Sequence, residues 1–158
     1  MTELPADAAV VLLVRHASAG DPTMWRGADA DRPLDERGRR QAEQIAAVLP
    51  AYQPVKVISA PPVRCVDTVS GVAAAVGVEL EIDPLFGEDG APADPERHLL
   101  DVLVPGAAVV VCSQGGVIPR ILHALLPAGR RVHARKGSVW VLTLHDGRLV
   151  QAEDDLLS

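Results

Sequence analysis

Hydrophobic and polar residues follow two alternating patterns along the chain, and together they predict an α/β fold. Continuous apolar runs at residues 9–14 and 107–112 are typical of strands buried on both faces of a largely parallel sheet. Helical spacing of apolar residues predicts helices over residues 34–49 and from Pro61 and Pro62 to about residue 76, where the two prolines occupy the first turn. Strand and helix therefore alternate from the first apolar run onward.

The rest of the pattern completes a three-layer fold, a largely parallel central sheet flanked by helices with an antiparallel C-terminal part. Asp35 and Asp94 are predicted helix caps. Asp146-Gly147 is predicted to form a tight hairpin turn. The shorter predicted elements are strands at 55–59, 78–82, 130–134, 138–144 and 148–151, helices at 94–104 and 117–126, and long loops at 21–33 and 83–93.

Length and charge narrow the class of protein. The 158 residues predict a single domain, 1–158. Hydrophobic residues make up 48% of the chain but are scattered along it, and no apolar run approaches the roughly 18 residues that span a bilayer. The acidic start lacks the basic region of a secretory signal, so we expect a cytoplasmic protein. A net charge of −6 argues against general nucleic-acid binding.

Cys65 and Cys112 are expected to be buried free thiols, without metal-ligand spacing.

Polar groups follow the predicted parallel strands where each strand ends. Parallel strands share one carboxyl edge, so these groups are expected to meet in one pocket. Two guanidinium groups suit a phosphate, which they bind through forked hydrogen bonds. The glycine-rich start of the helix at 117–126 adds backbone N–H groups. The candidate residues are Arg15, His16, Arg64, Glu88, Ser113, Gln114 and Gly115.

The chemistry that these groups support is phosphoryl transfer to a histidine. A neutral imidazole is a competent nucleophile, and flanking guanidinium groups favour its neutral form, so His16 is the candidate nucleophile. Glu88 is the candidate acid that protonates the leaving oxygen, and Asp89 is the alternative. Because the arginines supply the charge stabilisation, no metal or other cofactor is required.

The first long loop holds further candidates for contact with a ligand. Trp25 either stacks on a substrate ring or packs the loop against the core. Arg26 is a candidate substrate-binding residue, and Arg26 and Arg32 either extend the positive rim or pair with Asp29 and Asp31.

Four segments, LVRHASAG, PLDERGRRQAEQIA, SAPPVRCVDTV and VCSQGGVIP, resemble the histidine phosphatase superfamily. Within that superfamily, the short length and the segment WRGADADRPLDERGRRQA resemble the small SixA-like phosphohistidine phosphatases and the histidine phosphatase domain of some MutT-type Nudix fusion proteins. The resemblance implies a phosphoglycerate mutase-like fold, His16 as the phosphorylated residue, and Arg15 and Arg64 as the phosphate-pocket arginines. Glu88 matches the family's acid only through its place in a variable loop.

The chain departs from the family where S-H-G-G is usual, because it reads Ser113-Gln114-Gly115-Gly116. An amide can donate a hydrogen bond from that place but cannot carry the charge of an imidazolium. Loss of such a donor costs about 10²–10³ in rate, and a replacement that still donates costs less.

Three functions stay open. The first is a metal-independent phosphatase of lowered activity, acting on a phosphorylated small molecule or a phosphohistidine protein. The second is a non-catalytic module that binds a phosphorylated ligand, and the third is a scaffold without an anion site. A phosphoglycerate mutase is disfavoured, because the resemblance implies extra segments for which the chain has little room.

Overall fold

The computed structural model describes residues 4–154 and 156–157, which form a six-stranded sheet flanked by helices. The strand order is β3-β2-β4-β1-β5-β6. The central strand β1 pairs in parallel with β4 and antiparallel with β5, which confirms the predicted mixed sheet. The strands are β1 (Ala9–Arg15), β2 (Lys56–Ser59), β3 (Leu80–Ile82), β4 (Ala108–Ser113), β5 (Val139–His145) and β6 (Arg148–Glu153).

Four α-helices pack in two pairs, α1 with α2 and α3 with α4. Their bounds are α1 (Glu36–Val48), α2 (Val63–Val76), α3 (Pro95–Val102) and α4 (Ile118–Leu125). Three short 3-10 helices cover Asp29–Asp31, Leu49–Tyr52 and Pro84–Phe86. The first and third of these lie inside the two predicted long loops.

The apolar runs of the sequence form the centre of the core. Every residue of β4 is buried, and Val11 to Val14 of β1 are at most 1% exposed, as expected for strands covered on both faces. The register pairs Arg15 with Ser113, so the polar ends of β1 and β4 lie side by side. Cys65 and Cys112 are buried free thiols, as predicted.

Two local predictions about chain turns are confirmed. Asp35 caps α1, because its Oδ1 accepts from the backbone N–H of Gly38 at 2.7 Å. Asp146 and Gly147 form the β5–β6 turn with positive φ values of 52° and 73°, the backbone that a two-residue hairpin turn of this type requires.

The predicted strand at 130–134 is wrong, because residues 130–135 have no regular structure. Side chains bond the carbonyl groups that a neighbouring strand would otherwise bind. Arg15 Nη1 donates to Ala134 O at 2.7 Å, and Trp140 Nε1 donates to His133 O at 2.8 Å.

Other boundaries also differ. Asp94 stands at the N-cap of α3 without a capping bond, and its carboxylate contacts Arg97 instead, at 3.2 Å. The two prolines precede α2 and do not form its first turn, since Pro62 is the N-cap with extended ψ. The strand predicted from residue 78 begins at Leu80, because Val78 N donates to Ala73 O at the end of α2.

Candidate active site

The C-terminal end of β1 is hydrogen-bonded to the chain segments that lie on either side of it in the sheet. Arg15 N donates to Ser138 O at 3.0 Å, and His16 N donates to Ser113 O at 3.2 Å. Gly137 N lies 3.1 Å from Arg15 O and 3.0 Å from His16 O. The position of the Arg15-His16 pair therefore depends on the sheet and not on a free loop.

The imidazole of His16 is buried, with 6% of the residue exposed. Its Nδ1 lies 2.8 Å from Ala17 O. A carbonyl oxygen only accepts, so in the neutral ring Nδ1 carries the proton and Nε2 keeps a lone pair. Among the side-chain hydrogen bonds of the described residues, His16 makes only this one. The ring is thus oriented by its own backbone with Nε2 available.

Burial and neighbouring cations keep this imidazole neutral. Burial lowers the pKa of His16 from 6.5 to about 4, and the positive charges of Arg64, Arg15 and Lys136 act in the same direction, against the opposing effect of the bond to Ala17 O. His16 is therefore in the nucleophilic, unprotonated form throughout the physiological pH range.

Both arginines are fixed by their terminal nitrogens. Arg64, 4% exposed, donates through Nη1 to Asp29 O and through Nη2 to Asp29 Oδ2, each at 2.8 Å. Arg15 donates through Nη1 to Ala134 O. Within the described part of the chain, the buried side-chain nitrogen and oxygen atoms without a hydrogen-bond partner are Arg15 Nε, Arg64 Nε and Ser138 Oγ. Each guanidinium is thus anchored through a terminal nitrogen, and its Nε–H has no acceptor among the described residues, so it can donate to a bound ligand.

The two glycines that follow Gln114 allow close approach of charged groups. A Cβ at Gly115 would lie 2.8 Å from Arg15 Nη2, so Arg15 packs directly on this backbone. A Cβ at Gly116 would collide with Glu88 Oε2, so the carboxylate of Glu88 lies over Gly116. The second long loop therefore brings the candidate acid to the same turn as Arg15.

Gln114 joins this turn to the loop that carries Glu88. Gln114 is 5% exposed, and its Oε1 accepts from Glu88 N at 2.9 Å. This bond assigns the amide orientation and leaves the Nε2 hydrogens as the donors of the side chain. Asp89 is exposed beside Glu88.

Two of the predicted substrate-binding residues, Ser113 and Arg26, differ in their surroundings. Ser113 is fully buried, and its hydroxyl donates to Phe86 O at 2.5 Å, so the side chain holds the loop that leads to Glu88. Arg26 is exposed, and it has no hydrogen bond or ion pair with any residue the structure describes. Gly115, the third, contacts Arg15 as described above.

Sequence reasoning missed the pairing of Asp29 with Arg64, because Asp29 was considered only for Arg26 and Arg32. Asp29 contacts both Arg32, at 3.2 Å, and Arg64. Partial burial raises its pKa, but the hydrogen bonds and charges of the two arginines outweigh this and lower it overall. No spacing signal marks this contact, which joins a loop to a helix 35 residues further along the chain.

Thr68, which the sequence analysis does not single out, also stabilises the site through hydrogen bonds. Ala17 N donates to Thr68 Oγ1 at 2.9 Å, and Thr68 Oγ1 donates to Arg64 O at 2.6 Å. The segment after His16 is thereby tied to the turn of α2 that carries Arg64. Trp25, by contrast, folds back on its own loop, with Nε1 donating to Ala28 O at 2.9 Å.

The described residues contain neither a cluster of metal-ligand side chains nor a membrane-spanning helix. None of their His, Cys, Asp and Glu side chains form a group of three or more suited to a metal ion. No helix among them is both long and apolar enough to cross a membrane.

Comparison with known proteins identifies the family. The sequence profile of the histidine phosphatase superfamily, branch 1, matches residues 11–91, about half of the chain and the part that contains His16 and both site arginines. The chain belongs to the histidine phosphatase superfamily. The resemblance inferred from the four sequence segments is thereby confirmed.

Individual relatives agree with this assignment. An 8-oxo-(d)GTP phosphatase from Mycolicibacterium smegmatis is 36% identical over 156 residues, covering 94% of this chain and 48% of the relative. The chain thus spans about half the length of that curated relative.

Solved structures share the fold. The protein histidine phosphatase SixA complexed with tungstate aligns with a TM-score of 0.72 at 18% identity, covering 92% of this chain and 96% of SixA. A phosphoglycerate mutase from Bacillus anthracis aligns with a TM-score of 0.68 at 16% identity, covering 92% of each chain.

Proposed function

We propose that the protein is a metal-independent phosphatase that hydrolyses a phosphomonoester or a phosphohistidine through a phosphorylated His16. One observation carries the proposal: the two arginines whose charge lowers the pKa of His16 each keep a buried Nε–H without a protein acceptor. A buried donor left unsatisfied costs about 1–3 kcal/mol, which a bound oxyanion would remove. A phosphoryl group beside His16 supplies the missing acceptors for both.

In the first step, the Nε2 lone pair of His16 attacks phosphorus, and the bond from phosphorus to the leaving atom breaks, which is an oxygen in a phosphomonoester and an imidazole nitrogen in a phosphohistidine. Glu88 gives a proton to that atom, so the alcohol or imidazole leaves neutral and phosphorylated His16 remains. Arg15 and Arg64 donate to the nonbridging oxygens, and the amide of Gln114 adds a neutral donor. Most of the rate enhancement comes from these prepositioned donors.

In the second step, water attacks the phosphohistidine and the N–P bond breaks. The carboxylate of Glu88 takes the proton from water, inorganic phosphate is released, and His16 returns to its neutral form. We assign the acid to Glu88 over Asp89 because Glu88 contacts Gly116 and its backbone is bonded to Gln114.

The second candidate function is a module that binds a phosphorylated ligand without turnover. The neutral amide of Gln114 favours it, since this side chain cannot supply the positive charge of the family's usual histidine. The two functions share the anion site and differ only in whether the reaction proceeds.

Hydrolysis of p-nitrophenyl phosphate separates the two functions. We expect native protein to exceed His16→Ala by at least 10³-fold in kcat, and Gln114→His to exceed native by about tenfold or more. His123→Ala, which removes an exposed histidine of α4, is the matched control and keeps native activity.

Each outcome of this assay decides between the phosphatase and the binding module. If neither native protein nor Gln114→His exceeds the His16→Ala background, the phosphatase proposal is wrong. If only Gln114→His turns over while native protein binds phosphate, the binding module is correct. A phosphohistidine peptide and 8-oxo-dGTP, the latter taken from the name of the M. smegmatis relative, extend the substrate panel.

A further inference from the structure

A second group of cations lines a cavity at the same edge of the sheet as His16. The cavity has a volume of about 410 Å³ and lies between α1 and the segment that leads into β5. The lining residues that matter here are Arg37, Gln41, Gln44, Arg135, Lys136 and Ser138. In a protein of net charge −6, three cations around one cavity are a local excess of positive charge.

These three cations have no acidic partner in residues 4–154 and 156–157. None of those carboxylates lies within 4.0 Å of Arg37, Arg135 or Lys136. Asp154 also lines the cavity, but its Oδ2 contacts His133 Nε2 at 2.9 Å. One lining carboxylate stands against three lining cations, so the formal charge of the described cavity lining is positive.

A buried hydroxyl supports the same conclusion independently of charge. Ser138 Oγ is the third buried polar atom without a hydrogen-bond partner in the described chain, and the other two are the arginine Nε atoms of the active site. Ser138 lines this cavity. A lining serine whose hydroxyl lacks an acceptor is consistent with an oxyanion site, because a bound anion could accept from it.

The wall between this cavity and the active site is built from backbone and one glutamine. Gln41 Oε1 accepts from Ser18 N at 2.8 Å, and Gln41 Nε2 donates to Lys136 O at 3.2 Å. Gly137, with φ of +77°, packs on the Gln41 amide and donates to the carbonyl of His16. The cavity therefore lies next to the end of β1, which precedes His16.

We propose that this cavity binds a second phosphate-type oxyanion, distinct from the one that His16 would attack. The anion is either a second phosphate group of the substrate or a free phosphate ion. The binding itself does not depend on the proposed function, whereas the assignment to a substrate group rests on it.

Calorimetric titration with inorganic phosphate at low ionic strength tests the binding. We expect two equivalents to bind native protein and Arg64→Gln to lose only the first site. The double variant Arg37→Gln/Arg135→Gln is expected to weaken only the second site, by about tenfold or more. Gln44→Glu, which adds a negative charge without removing any described hydrogen bond, should also weaken the second site.

The control is Arg131→Gln, which removes an exposed arginine from the same segment but outside the cavity. Thermal melts verify that each variant is folded. A single equivalent that disappears in Arg64→Gln would overturn the proposal. So would a double variant and a Gln44→Glu variant that both bind phosphate as Arg131→Gln does.

Kinetics identify the source of the anion. If the anion belongs to the substrate, the double variant lowers kcat/KM about tenfold for a nucleoside 3′,5′-bisphosphate and leaves it unchanged for a nucleoside 5′-monophosphate. If kcat/KM is unchanged for both while phosphate binding is lost, the site takes a free ion. Absence of hydrolysis by native protein would refute the phosphatase proposal and leave the calorimetric result standing.

Discussion

Replacing Arg64 by glutamine removes one of the two guanidinium groups on which the account depends. The side chain is 4% exposed, and each terminal nitrogen donates one hydrogen bond to Asp29, so Nε–H and the second N–H of each terminal nitrogen remain for a ligand. A hydrogen bond to a charged group contributes about 1.5–3 kcal/mol. Arg64→Gln should therefore weaken phosphate binding at the His16 site by about 10–150-fold.

The expected cost to folding is smaller than the cost to binding. The partner carboxylate, Asp29, is 62% exposed and keeps its contact with Arg32 when Arg64 is lost. An ion pair with such a partner contributes about 1 kcal/mol or less. Arg64→Gln should therefore stay folded at room temperature, and a loss of binding can be attributed to the missing donor.

Titration calorimetry with phosphate or tungstate measures the effect. The matched control is Arg97→Gln, because Arg97 also pairs with an aspartate, Asp94, but is 80% exposed on α3. Its affinity should be within twofold of native. A folded Arg64→Gln protein with native affinity at the His16 site would refute the reasoning.

Three further predictions concern stability and the loop that carries the acid. The folded pKa of His16 lies below the unfolded value, so the unfolded chain takes up the proton first and stability falls as pH drops from 6.5 towards 4. Between these limits native protein should lose about 3 kcal/mol more than His16→Gln, measured by urea unfolding, and equal losses would contradict the assignment. Gly38→Ala should destabilise by about 1–3 kcal/mol in thermal melts, although helix propensity alone predicts a gain of about 1 kcal/mol, because the new Cβ would collide with Ser18 O. Ser113→Ala leaves Phe86 O without its donor and should lower kcat more than it raises KM, while equal kinetics would show that the loop is held by other contacts.

The scaffold was predictable because its signals are local and continuous. The runs that became β1 and β4 are apolar without alternation, and Asp35 stands three residues before the glycine N–H that it caps. Parallel strands share an edge, so the meeting of Arg15 and Ser113 follows from topology alone.

The details of the site could not be predicted because they depend on contacts distant in sequence. Ala134 O binds the Arg15 guanidinium across 119 positions, and this bond replaces the strand expected from the local pattern at 130–134. Asp29 reaches Arg64 through a 3-10 turn that carries no periodic signal. The tautomer of His16 depends on a single backbone carbonyl, that of Ala17.

A crystal structure with bound vanadate tests the central claim most directly. The account predicts vanadium within bonding distance of His16 Nε2, about 2 Å, with the Nε–H groups of Arg15 and Arg64 donating to its oxygens and the amide of Gln114 beside them. Vanadate bound elsewhere, or His16 turned so that Nε2 faces the scaffold with neither arginine on the anion, would contradict it.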